Sequence, residues 1–91
     1  RVPVPDAHAE HIVALVRAVP GVYGTASFAA ALRGRESAHA RLKNHPSFGA
    51  LRGVADRRVR ESIMALVARG SVQEVARRHS IGGMYAALDV A

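Results

Sequence analysis

Residues 56–90, DRRVRESIMALVARGSVQEVARRHSIGGMYAALDV, change their hydrophobic period halfway along. In the first part Val59, Ile63, Leu66 and Val67 recur at intervals of three and four, the spacing of one helix face. With Asp56 as a candidate cap and Gly70 as a stop, the pattern predicts a helix over about 56–69. Beyond Gly70 the period falls to two, and Met84, Ala86, Leu88 and Val90 alternate as a half-buried strand does. Residues 71–78 read as its partner across a short glycine-containing turn, giving a hairpin over about 71–90. One residue departs from this pattern. Ile81 places an apolar side chain at the hairpin tip, directly after the polar run Arg77, Arg78, His79 and Ser80.

Upstream, Ile12, Leu15, Val16 and Val19 sit at helical spacing behind a possible Asp6 cap, and Pro20–Gly21 ends the run, so a helix is expected over about 6–19. A second is expected over about 25–33, burying Phe28, Ala31 and Leu32 and stopping at Gly34. The connection GRESAHARLKNHPSFGALRG is polar and long, with a short helix expected around Glu36 to Lys43. No internal repeat or low-complexity tract is expected. Three helices and then a terminal hairpin, with a basic helix directly before it, is the order of a winged helix-turn-helix: mainly α with a small β-hairpin.

Size and charge narrow the function classes. Ninety-one residues make one domain that buries about 60–65% of its unfolded surface. With no cysteine, neither disulfides nor a thiolate metal site can supplement the core. The apolar runs are far too short to span a membrane and no leader opens the sequence, which reads as a soluble, cytoplasmic piece. It begins with Arg1 and the stiff stretch RVPVP, so residues 1–5 read as a linker from a preceding domain and 6–91 as the domain itself. The formal net charge is +6, and twelve of the thirteen basic residues are arginine. From Arg33 to Arg78 eleven bases face four acids, whereas charges cancel before Leu32. Such clustering fits a nucleic-acid footprint. An alanine- and arginine-rich composition is also what a GC-rich genome produces.

The basic helix bears this charge at its start. Arg57, Arg58 and Arg60 lie away from the Val59 and Ile63 side, next to the unpaired N–H groups of the first turn. Bases there oppose the helix dipole, so they do not stabilise the helix itself. The alternative is an ordinary solvated arginine face.

These residues resemble the RQC domain, the winged helix that follows the motor core of RecQ-type DNA helicases. The likeness runs from Ile12 to about Leu88, through YGTASFAAALRGRES and HPSFGALRGVADRRVRESIMALVARGSVQEV. In the second stretch His45, Phe48, Gly49 and a base at Arg52 fall at the family's spacing before the recognition helix. Two positions depart: Leu51 stands where the family usually has a second glycine, and Val59 where it usually has a large aromatic. The resemblance implies phosphate-holding roles for Arg33, Arg35, Arg52, Arg57, Arg58 and Arg60. It places Ile81 at the wing tip, where some members part the terminal base pair of a duplex. Arg77, Arg78 and His79 would then anchor the wing to the backbone. Ile81 has a second possible role, folding back to cap the small core.

By the same resemblance the parent chain is an ATP-dependent DNA helicase of repair, recombination or replication, using ATP, magnesium and zinc outside this domain and acting near the bacterial nucleoid. The domain carries no GxxxxGK loop and no catalytic triad context, and it is expected to hold no cofactor of its own. His8, His11, His39 and His45 lack the neighbouring ligands of a metal site, and His45 is expected to brace the connection. Duplex, fork or junction DNA is the expected partner. A winged-helix transcriptional regulator reading the major groove, or a protein-interaction winged helix, are the other classes. Arginine in place of Asn, Gln or Ser on the exposed helix face favours phosphate holding.

Overall fold

Apolar side chains from every helix and from the base of the hairpin meet in one core. A computed structural model describes residues 4–91, so residues 1–3 of the expected linker lie outside the described residues. The elements are α1 (Asp6–Ala18), α2 (Thr25–Leu32), α3 (Ala40–Lys43), α4 (Asp56–Arg69), β1 (Val72–Arg78) and β2 (Met84–Val90). Ile12, Leu15 and Val16 of α1 pack with Phe28 and Leu32 of α2, Leu42 of α3, and Val59, Ile63 and Leu66 of α4. Val72 and Leu88 bring in the strands. Leu51 and Val59, the two departures from the RQC pattern, are both buried in this cluster. Val4 is buried and Pro5 precedes the first turn of α1, so the chain already lies on the body at these positions.

Three local expectations need correction. Asp6 and Asp56 do not cap their helices: each is the first helical residue, the cap positions are Pro5 and Ala55, and neither end has a side-chain cap bond. Each carboxylate still favours its helix by lying at the positive end of the dipole. The helix in the connection is confined to Ala40–Lys43, because His39 is extended (φ −62°, ψ 141°) and admits no earlier turn. The alternation expected along β2 holds only at its base. Leu88 is buried and Val90 partly so, but Met84 is 60% exposed and Ala86 is exposed, since the outer half of the hairpin has no core beneath it.

The strands pair antiparallel from Val72↔Val90 to Arg78↔Met84. Their seat on the body is a clasp at Leu88. Gly21 N–H donates to the Leu88 carbonyl and Leu88 N–H donates to the Tyr23 carbonyl, both at 2.8 Å. The Tyr85 hydroxyl adds a bond to the Val22 carbonyl at 2.7 Å. This approach is close enough to exclude a side chain at residue 24, where a Cβ would stand 2.8 Å from the Ala86 carbonyl oxygen. Among the described residues no helix is long and apolar enough to cross a membrane.

Urea unfolding should therefore separate three substitutions. Leu66→Ala, in the core, should cost about 2–5 kcal/mol. Gly24→Ala should cost about 1–3 kcal/mol through overpacking against β2. Ile81→Ala should stay within about 0.5 kcal/mol, as at an exposed site. A Gly24→Ala variant as stable as the unaltered protein would show that the clasp has room to spare.

Candidate functional site

The end of α2 and the loop before α4 are built as one unit. After Leu32 the chain turns at Gly34, with Gly34 N–H bonded to the Ala31 carbonyl and Arg35 N–H to the Ala30 carbonyl, each at 3.0 Å. Two carbonyls at this helix end also accept from elsewhere in the sequence. Gly49 N–H donates to Ala31 and Leu51 N–H to Leu32, both at 2.8 Å. The tetrapeptide Ala-Leu-Arg-Gly occurs at 31–34 and again at 50–53, a short repeat that the expectation of no internal repeat overlooked. These bonds lay the loop before the second copy against the first.

Arg52 lies across the junction. A Cβ built on Gly34 would overlap its guanidinium, with Nε 2.7 Å away, and one on Gly49 would lie 2.6 Å from Nη2. Both glycines have positive φ, +71° and +75°, so each turn both needs glycine and leaves the space the guanidinium fills. Arg33 is half-buried and its Nε donates to the Val54 carbonyl at 2.9 Å, two residues before α4. Arg35 is exposed beside Gly34. Arg33, Arg35 and Arg52 are thus gathered at one corner, next to the start of α4, although Arg33 is partly committed to holding that corner together.

The arginines of α4 do not form one patch. Arg60 is bonded through Nε to Asp56 Oδ2 at 2.8 Å, and Arg57 Nε lies 3.6 Å from Glu61 Oε2. Arg58 turns to another flank, sharing a shallow groove with Val4, Pro5, His8 and Ser62. At about 100° per residue it stands some 200° around the helix from Arg60. Both ion pairs are exposed, where such pairs contribute about 0–1 kcal/mol, so a phosphate can displace either carboxylate at little cost.

A second group surrounds the hairpin. Arg77, Arg78 and His79 are exposed, and the His79 ring packs on Tyr85 with centroids 4.5 Å apart. Facing it, His39 stacks on Tyr23 at 4.4 Å and 20°. Arg78, His79, Tyr85, Tyr23 and His39 line one cleft together with Gly24 and Ser27 at the start of α2. Sequence reasoning missed Tyr23, His39, Tyr85 and Ser27. No spacing joins residues 23, 39 and 85, and only the alternation of Tyr85 out of phase with Leu88 marked it as lying off the core face.

Ile81 is 96% exposed, which excludes a core-capping role. The turn explains it. Gly82 N–H bonds to the His79 carbonyl at 3.1 Å and His79 N–H to the Gly83 carbonyl at 3.0 Å, so Ser80 and Ile81 form the apex with nothing beneath them. In the connection, His45 acts as a brace, its Nδ1 accepting the Ser47 N–H at 3.0 Å, while the Ser47 hydroxyl lies 3.0 Å from His11 Nδ1. Among the described residues no group of three or more His, Cys, Asp or Glu is placed to hold a metal ion. No family model matches the chain, and no similar protein is found among curated ones.

The two kinds of arginine should differ in thermal unfolding. Arg33→Ala leaves the Val54 carbonyl without its charged donor and should cost about 1–2 kcal/mol. Arg57→Ala and Arg60→Ala should each cost less than about 1 kcal/mol, as exposed pairs do. Equal losses at all three positions would mean that the α4 pairs are structural after all.

Proposed function

We propose that this chain is a winged-helix domain of the RQC type, which grips duplex DNA through its arginines and sets Ile81 against the end of the duplex as a wedge within a RecQ-type helicase. The observation that carries the reading is Ile81 itself, 96% exposed at the apex of a hairpin whose strands are anchored to the body. An isoleucine held wholly in water has no stabilising role in the fold, and the base of a terminal pair is an apolar surface of suitable size. The element order, with the basic helix α4 running straight into the hairpin, supports the winged-helix assignment.

Magnitudes define what the wedge can do. Burying one isoleucine yields about 1.5–3 kcal/mol, and unstacking a base step costs a few kcal/mol. The wing therefore offsets much of the opening of one step but does not melt a duplex unaided. Directional opening needs the motor, and in this reading ATP, magnesium and zinc belong to the parent helicase near the nucleoid.

The arginine corner supplies grip. Arg33 caps the end of α2, and Arg78 and His79 share the cleft at its start. Eight residues separate these ends. At 1.5 Å per residue that is about 12 Å, on the order of a major-groove width, so the two groups suit phosphates on separate strands. Contacts of this kind position the protein without reading sequence.

Fluorescence anisotropy on random-sequence blunt duplex tests the grip. Log K should fall with log salt at roughly −0.9 per phosphate contact. The combined variant Arg52→Ala, Arg57→Ala, Arg60→Ala should weaken every duplex sequence about equally and flatten the slope. Adding Arg58→Ala should have a smaller effect, because it faces another flank. A flat salt response would remove the footprint, and loss of binding to one sequence alone would favour a transcriptional regulator.

A further inference from the structure

The cleft between the hairpin and the start of α2 shares Arg78 and His79 with the duplex grip just described, but that grip does not use its Tyr23, His39 and Ser27 walls. Its volume is about 370 Å³, within the range of small-ligand sites. Two pairs of flat rings line it, Tyr23 with His39 and Tyr85 with His79. None of its lining residues is a carboxylate. Arg78 supplies a full positive charge, and among the described residues it has no ion-pair partner. Gly24 and Ser27 place the first turn of α2 at the cleft wall, and no side chain caps that helix end. Flat rings beside a cationic rim recognise a planar base joined to an anion. Ser80, the residue before Ile81, also lines the cleft, so the site opens next to the wing tip.

We infer that this cleft is a nucleotide site, in which an unpaired base lies against the His39 and Tyr85 side while its phosphate meets Arg78 and the first turn of α2. The inference rests on the proposed reading for the origin of that nucleotide: the strand displaced by Ile81 has its first unpaired residue beside the cleft. Stacking there withdraws the opened base from re-pairing, so wedge and cleft act in sequence on the same base step. The Tyr85 hydroxyl, bonded to the Val22 carbonyl, fixes the ring that forms one wall.

Two variants outside the duplex grip test it. His39→Ala removes an exposed stacking surface, and Ser27→Asp sets a negative charge in the first turn of α2, where it favours the helix but repels a phosphate. Anisotropy would compare a blunt duplex, the same duplex with noncomplementary thymidine arms, and the single strand dT4. Amide shifts of the unaltered protein would be followed with dT4 and with inorganic phosphate. Both variants should bind the forked duplex and dT4 about fivefold to tenfold more weakly, with blunt duplex unchanged within about twofold in His39→Ala and weakened less than the fork in Ser27→Asp, whose charge shares the cleft with Arg78. Amide shifts with dT4 should centre on Tyr23, Ser27, His39 and Tyr85. Unchanged fork and dT4 affinity in both variants, with blunt duplex still bound, overturns the cleft and leaves the duplex reading standing. Equal shifts from inorganic phosphate reduce the cleft to a plain anion site and overturn the nucleotide. Binding of dT4 in the cleft without any duplex binding overturns the duplex reading alone, and no binding of any DNA overturns both.

Discussion

Everything the hairpin presents depends on how Leu88 is held. Its side chain is in the core, and its N–H and C=O are both bonded to the α1–α2 connection. An isolated two-stranded hairpin is marginal in water, and along its outer half this one only partly buries Tyr85. The clasp converts it into an arm of fixed origin. Because Gly24 leaves the space in which β2 runs, and Tyr85 reaches back to Val22, the root is held at three consecutive residues of one short connection. Position at the tip is inherited from these few bonds.

The periodic parts of this architecture were legible in the sequence. Apolar spacing located α1, α2 and α4 to within a residue or two, and the change of period marked the hairpin. What escaped were features fixed by residues far apart. The caps failed because an aspartate one position late cannot accept from its own first turn. Met84 and Ala86 fit the alternation but extend past the edge of the core, and only the length of the body relative to the strands decides that. Arg58 is a neighbour of Arg57 and Arg60 in sequence yet turns to another flank, as helical geometry requires of residues one and two apart, whereas Arg57 and Arg60, three apart, share a face. The pairing of Tyr23 with His39 spans sixteen positions and leaves no local signal. Ile81 was legible as an anomaly, and its exposure removes the core-capping role.

The surface charge is held in three different ways, and each has its own energetics. Arg57 and Arg60 are balanced by carboxylates one turn away, so a phosphate arriving there exchanges one weak partner for another. Arg33 is built into the fold by its bond to Val54 and offers only the rest of its guanidinium. Arg78 has no carboxylate beside it in the cleft. The net charge of +6 therefore overstates what α4 offers and understates the two ends of α2.

Arg52 has a consequence for how this sequence can change. An arginine side chain ordinarily carries about 2 kcal/mol of rotamer entropy, lost on meeting an anion. Here the guanidinium already rests over Gly34 and Gly49, so much of that freedom is gone before any ligand arrives. The three positions are one unit separated in the chain. A Cβ at either glycine would dislodge the arginine. A smaller residue at 52 would in turn remove the reason to keep one of the close contacts, though not the positive φ. Among descendants of this sequence, position 52 should accordingly vary while 34 and 49 stay glycine, and the glycines should rarely change whatever stands at 52, an asymmetry produced by backbone shape before any demand of binding is added.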